Sequence, residues 1–411
     1  MPLIQPYLTL LKINRQYRWL WLSQVISLVG DWFNLIATTT LIAQLSGSGV
    51  AISGLFVARM LPPIFLGPVV GVAADRFDRQ KILITSDILR LFVVLGFLLV
   101  KTRQDLWLLY ALVLLQLSIS AFFEPTRSAL MPGIVARKDL ITANALDGVT
   151  WSTMLAVGAA LGGLATVLLG IQAAFIIDAL TFGLSAWFVS RIRPPESEKP
   201  VQAAQGGFSS YIEGLRYLWQ RKHLLALTMV KAAGSLSYGA MDVVQVNFAE
   251  KIFQVGGSAS GTLGLIYAVI GIGTGVGPLL AKHFGKETRR AMRGMITFGF
   301  ILSAAGFFGV AWSPTLPLFL LAILVRTFGS GIGWIYSSAL LQMDVPAQYR
   351  GRVFALDMAV YTLAATSSTL AAGIAFDGLR LSPREVAFGA ALIAVGVTIT
   401  WQIYHRAYLK R

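Results

Sequence analysis

Six ionisable side chains stand inside stretches of sequence that are otherwise apolar: Asp31, Arg59, Asp178, Lys231, Asp242 and Arg326. A charge at the centre of a bilayer costs roughly 2.5–3.5 kcal/mol on insertion scales, so each needs an opposite charge or a wet cavity. A carboxyl held in a partly dry cavity can bind and release a proton near neutral pH. Asp31 falls near mid-depth of its stretch, and Arg59, at a similar depth in the next one, is its candidate counter-ion. Two readings stay open for them: Asp31 titrates and couples proton movement to a change of shape, or the two form a permanent structural salt bridge. Asn34, one turn beyond Asp31 on the same face, and Gln245 and Asn247 are neutral polar candidates for the same cavity. Asp242, 211 residues after Asp31, reads as the related position in a later stretch; Asp178 and Arg326 can pair across helices or meet a charged substrate, whereas Asp87 and Arg90, three apart, can pair with each other. Trp32 and Tyr238 either offer aromatic surface to a bulky substrate or simply pack.

A second concentration of charge is GVAADRFDRQKIL, residues 71–83, which sets Asp75, Arg76, Asp78, Arg79 and Lys81 between two apolar runs. The chain as a whole is only 13% charged and 56% hydrophobic, against about 25% charged for a water-soluble protein. Its apolar residues come in blocks of roughly 20, the length that crosses the hydrocarbon as helix. Twelve spans follow, at 18–45, 51–74, 82–101, 105–130, 142–169, 171–192, 222–250, 260–283, 290–312, 315–342, 352–377 and 385–406. The first run is too long for a signal segment and is expected to be retained. An even number of spans puts both ends of the chain on one side. Alternate loops, the two ends and the segment between spans six and seven carry 25 of the 34 Lys and Arg residues, so that side is expected to be cytoplasmic. The net charge of +15 then sets topology and faces anionic lipid, and a nucleic-acid partner is not expected.

Displaced by 210 residues, the chain matches itself. Ser128, Ala129, Leu130, Val135, Ala145, Leu146 and Asp147 meet Ser338, Ala339, Leu340, Val345, Ala355, Leu356 and Asp357. Gly54, Leu55, Ala58, Gly67 and Pro68 meet Gly264, Leu265, Ala268, Gly277 and Pro278 at the same offset. The period contains six spans, so the halves share one orientation, an arrangement found in transporters. The expected fold is an all-α integral membrane protein of two pseudo-symmetric six-helix bundles, residues 1–192 and 222–411. They are joined by a cytoplasmic linker, 193–221, with a Ser210–Glu213 capping box and a short helix that lies at the interface or in solution.

With these features in place, Gly71-x-x-x-Asp75-Arg76-x-x-Arg79-x-Lys81 between spans two and three resembles the signature loop of the major facilitator superfamily. The resemblance covers nearly the whole chain. Asp78 stands where that family usually has Gly. The form D-R-F-D-R, with Gly30-Asp31, EPTRSALMP at 124–132, ANAL at 143–146 and P-x-x-Y-R-G-R-V at 346–353, is similar to the macrolide-efflux and enterobactin-exporter branch. The resemblance implies a conformational clasp of Gly71, Asp75, Arg76, Arg79, Glu124, Gly351 and Arg352. In it Asp75 faces the start of span eleven near Gly351 and Arg352, and Arg79 reaches Glu124. A purely topological role for the same charges is the other reading.

Helix-breaking Pro62, Pro63 and Pro68 in span two should bend or locally break it. The glycines at 158–163 and at 271, 273, 275 and 277 read as close-packing positions. There are no cysteines, which excludes disulfides and thiolate metal sites. His223, His283 and His405 are too dispersed for a metal site, and no nucleotide or protease motif occurs, so neither an enzyme nor a cofactor is expected. The expectation is a monomeric secondary transporter of the inner membrane that works by alternating access. It would exchange protons for a bulky amphipathic compound such as a drug or siderophore; a lipid or lysophospholipid flippase of the same fold is the alternative.

Overall fold

A chain crossing hydrocarbon must satisfy its backbone polar groups internally, and a run of about 20 apolar residues does so as helix. In the computed structural model, residues 5–136, 139–193, 215–284 and 288–409 are described. Within those helices some side chains lie outside the description, among them those at 63–64, 67–72, 74–76 and 350–352. The Ser210–Glu213 capping box also lies outside the described residues; residues 215–219 just after it are helical.

A short helix, α1 (Gln5–Ile13), precedes twelve long ones: α2 (Arg15–Ser46), α3 (Gly49–Arg76), α4 (Arg79–Gly96), α5 (Leu106–Ile134), α6 (Leu140–Leu169), α7 (Ile171–Ser190), α8 (Lys222–Lys251), α9 (Ala259–Phe284), α10 (Arg289–Trp312), α11 (Leu316–Asp344), α12 (Ala347–Asp377) and α13 (Pro383–Leu409). Spans one to twelve of the sequence are therefore α2 to α13. Among the described residues, eleven of these are long and apolar enough to cross a membrane, and α3 contributes a shorter apolar stretch, Gly49–Pro62. α3 runs unbroken through Pro62, Pro63 and Pro68, which leaves a bend as the only effect open to them. α12 starts at Ala347, so Gly351 and Arg352 sit in its second turn.

The ends of several helices have local causes. Asn14 caps α2, accepting from the Tyr17 N–H at 2.9 Å, while its amide donates 2.8 Å to the Ile134 carbonyl at the end of α5. Asp78, the departure from glycine noted above, caps α4 by accepting from the Lys81 N–H at 3.2 Å. Leu10 of α1 is buried beside Tyr17, Met131 and Val135; at nine residues α1 is too short to span hydrocarbon, so a search for spans does not find it.

The residues fall into two units. The first comprises 1–46, 58–205 and 256–264, and the second 47–57, 206–255 and 265–411. In the first, the extensive packings are α2 on α7, α2 on α6, α4 on α7 and α4 on α5. In the second they are α8 on α13, α8 on α12, α10 on α13 and α10 on α11. Advancing each helix of the first set by six gives the second, so the 210-residue repeat is a repeat of packing. The second unit also holds the start of α3. Asp377, closing α12, accepts from the Gly49 and Val50 N–H groups at 2.8 and 2.9 Å and from the Ser48 hydroxyl, which satisfies donors that a helix start leaves open.

Glycine sets the spacing where α10 meets α11. A Cβ on Gly299 would stand 2.6 Å from the Gly329 carbonyl oxygen, and one on Gly306 2.5 Å from the Arg326 nitrogen. Close backbone approach of this kind is how membrane helices gain van der Waals contact. Gly306→Leu is expected to abolish a monodisperse peak in size-exclusion chromatography of detergent-solubilised protein. Gly294→Leu on the same helix, where a Cβ meets nothing within 4 Å, should elute as the parent does.

Candidate functional site

The charges of the first unit converge on a cavity of about 400 Å³. Asp31 and Gln24 of α2, Arg90 of α4, Glu124 and Arg127 of α5, and Asp147 and Trp151 of α6 line it.

Two ion-paired groups build the walls. In one, Asp87 and Arg90 of α4 pair across one turn, as their spacing predicts, and both are buried. Asp87 also accepts from the Ser185 hydroxyl of α7 at 2.7 Å. The Arg90 guanidinium lies between two rings, 4.5 Å from the centroid of Phe123 and 4.2 Å from that of Phe182. In the other, Arg127 donates to Asp147 at 2.7 Å, Gln24 at 3.2 Å and Glu124 at 3.2 Å. Asp147 takes a further hydrogen bond from the Tyr17 hydroxyl, 3.2 Å away. The clasp residue Glu124 thus has Arg127 of its own helix as partner. Arg79 is half-buried as the first residue of α4. The side chains of the other clasp residues, Gly71, Asp75, Arg76, Gly351 and Arg352, lie outside the described residues.

Asp31 stands between these groups, midway along α2. The cations whose charge acts on it are Arg90, more strongly, and Arg59. Asp178 of α7 is its neighbour: the two carboxyls act on each other, and Arg90 and Arg59 act on both. Gly30 allows this approach, because a Cβ there would run into the Asp178 carboxyl and the Thr181 hydroxyl. Asp178 is fully buried, and neither of its oxygens has a hydrogen-bond partner of ordinary geometry. The Asn34 amide is the polar side chain turned towards it, also without completing a hydrogen bond. The structure therefore gathers Asp31, Asn34, Arg59 and Asp178 from the predicted set and adds Asp87 and Arg90. Arg90 acts on all three carboxyls, Arg59 on Asp31 and Asp178, and Glu124 adds a further negative charge beside Asp31.

The remaining candidates belong to the second unit. Lys231 of α8 pairs with Asp357 of α12, both buried, with the ammonium 4.5 Å from the Trp334 ring. Arg326 is buried with its guanidinium 5.5 Å from the Phe307 ring, and the charge of Asp242 acts on it. The Tyr238 hydroxyl is 3.2 Å from Ser303, and its ring stacks on Phe307. Gln245 is buried with its carbonyl oxygen unpartnered, whereas Asn247 donates to the Val243 carbonyl of its own helix. Trp32 packs on Gly158. Among the described residues no three His, Asp or Glu side chains could hold a metal ion together.

Asp147 and Arg127 were the residues sequence reasoning missed. In the sequence Arg127 appears only within the stretch 124–132 and Asp147 only as the match to Asp357. The signal is that match: each aspartate lies within about the first three turns of the fifth long helix of its bundle and receives a buried cation. Breaking a buried pair strands its partner at a cost of about 3–5 kcal/mol, and removing both charges costs less. Asp147→Asn should thus lower the melting temperature of the purified protein more than the double variant Arg127→Gln/Asp147→Asn does, as read by tryptophan fluorescence.

The family model described as Major Facilitator Superfamily matches residues 20–401. The chain is 29% identical to an uncharacterised MFS-type transporter of Bacillus subtilis, YfiS, over 91% of its own length and 90% of the relative's. It is 26% identical to the putative bacilysin exporter BacE of the same organism, over 98% and 97% of the two chains. Macrolide efflux protein A of Streptococcus pyogenes is 22% identical over 92% and 93%. Among solved structures, the nucleoside transporter NupG superposes with a TM-score of 0.76 at 12% identity over 97% of this chain and 100% of that one. A bacterial homologue of the human lysosomal transporter Spinster, inward-facing and unoccupied, gives 0.73 at 16% over 97% and 98%. With a match over nearly its whole length and packing that repeats bundle by bundle, the chain belongs to the Major Facilitator Superfamily.

Proposed function

We propose that the protein is a secondary active exporter of bulky amphipathic compounds, driven by proton exchange at Asp31. The observation that carries this reading is the cavity of about 400 Å³ in which Asp31 meets the Arg90 and Arg127 ion pairs. Asp31, Asp87 and Asp178 outnumber Arg59 and Arg90, and Glu124 adds a further carboxyl to the field on Asp31, so the group has an excess of carboxyls that protonation relieves. A proton arriving at or leaving the Asp31–Asp178 pair changes how strongly Arg90 and Arg59 are held, which is a route from protonation to shape. The putative export function of BacE and the efflux function in the name of macrolide efflux protein A support export over import.

In this reading the bundles 1–192 and 222–411 rock about the linker 193–221 in the inner membrane, with both ends of the chain in the cytoplasm. Asp75, Arg76 and Arg79 clasp the cytoplasmic side through Gly351, Arg352 and Glu124. Asp75→Asn is expected to cut transport sharply at unchanged surface expression. Since the chain has no cysteine, orientation can be read by thiol labelling in whole cells: Lys12→Cys should be shielded from an impermeant maleimide and Lys101→Cys labelled.

The deciding experiment uses proteoliposomes with an acidic lumen and a fluorescent macrolide. The parent protein should accumulate the macrolide until the pH gradient is collapsed, and Asp31→Asn should retain macrolide counterflow while losing gradient-driven accumulation. Gradient-driven uptake that survives Asp31→Asn rejects the coupling role. Movement of labelled lysophospholipid alone, with no macrolide uptake, replaces the exporter by the flippase.

A further inference from the structure

We infer that the second unit carries a binding groove for the acyl chain of an anionic glycerophospholipid, walled by α8 and α13. The groove measures about 450 Å³ and is lined by Ala226, Met229 and Ala233 of α8, Phe300 of α10, and Val397 and Trp401 of α13, among others. The few polar atoms on its wall are already engaged within the protein. The Trp401 indole N–H donates to the Thr297 hydroxyl at 3.0 Å, and the Thr400 hydroxyl to the Gly396 carbonyl at 2.9 Å. The Tyr404 hydroxyl points to the His223 carbonyl, 3.5 Å away. A polar ligand would lose its water here and gain no partner. A hydrocarbon chain loses nothing. α8 and α13 are both long and apolar enough to cross a membrane, so the medium around the groove is lipid.

The charge at one end of the groove selects the headgroup. Lys222 lies one helical turn before Ala226, on the same stripe of α8 that continues through Met229 and Ala233. It is exposed, as is Arg406 at the same end of α13. The Tyr404–His223 contact ties those two helix ends together, and the charges of Arg293 and Arg290 act on His405 beside it. Segments 222–236, 289–300 and 396–409, which wall the groove and its mouth, contain no Asp or Glu. Asp344 of α11, the carboxylate that reaches these segments, is engaged by Arg289 at 2.7 Å, so the end is basic in balance and favours a phosphodiester whose headgroup bears no compensating cation. The occupant is a phosphatidylglycerol-type lipid from the bilayer leaflet at that end. It is independent of what the protein transports.

The test uses the full chain in detergent, titrated with phosphatidylglycerol or with phosphatidylcholine of identical acyl chains. Phosphatidylglycerol should raise the melting temperature further and should survive as a one-to-one adduct in native mass spectra. Lys222→Gln should weaken adduct retention about fivefold, the weight of one lysine beside a membrane phosphate. A Cβ at Gly396 meets nothing within 4 Å, so Gly396→Leu projects into the open groove and should remove the adduct, while Gly294→Leu should keep it. Should Gly396→Leu not yield folded protein, Thr400→Phe fills the same space. Equal retention of the two lipids, or an adduct that survives the filling variant, overturns the proposal.

Discussion

A full charge in hydrocarbon has no solvent to fall back on, and the interior of this protein is organised by that constraint. The buried cations Arg90, Arg127 and Lys231 each meet a carboxylate of their own unit. Aromatic faces do part of the solvation that water would do: Phe123 and Phe182 for Arg90, Trp334 for Lys231, Phe307 for Arg326. A cation over a ring, once desolvated, gains about 2 kcal/mol, and the ring excludes water that would otherwise compete for the charge. Asp178 is the exception. It is buried with no hydrogen bond of ordinary geometry to either oxygen, close to the half-buried Asp31, and an exception of this kind marks where a change of charge state would be felt.

The repeat shows how one scaffold accommodates two electrostatic arrangements. Asp147 and Asp357 hold equivalent positions and each receives a buried cation, but the cation arrives from α5 in one bundle and from α8 in the other. The packing order of the helices is the same in both units. What the duplication preserved is backbone packing and the acceptor; the donor was free to move, because any long basic side chain within reach can satisfy the same carboxylate. The polar cavity then belongs to the first unit, whereas between α8 and α13 of the second the Thr400, Trp401 and Tyr404 polar groups are engaged within the protein.

Glycine permits this density of charge. Removing Cβ at Gly30 brings α2 close enough to α7 for Asp31 and Asp178 to sense each other, and Gly306 does the same for the backbone beside Arg326. In a membrane, helices are not pressed together by water, so contact area and short electrostatic distances must come from small residues at the crossings.

The sequence by itself determined the order and rough extents of the twelve long helices, though not the short α1, because length and hydropathy are properties of consecutive residues. The eighth span was expected at 260–283 and is α9, Ala259–Phe284. The repeat and the Asp87–Arg90 pair were legible for the same reason, being an offset and a spacing. The tertiary structure alone decided which charges meet. Arg90 acts on Asp31 more strongly than Arg59 does, Asn34 turns to Asp178, and Arg127 reaches across 20 residues to Asp147. Each of these depends on the rotation and depth of one helix against another, and hydropathy contains neither, since a helix turned by a third of a revolution has the same composition.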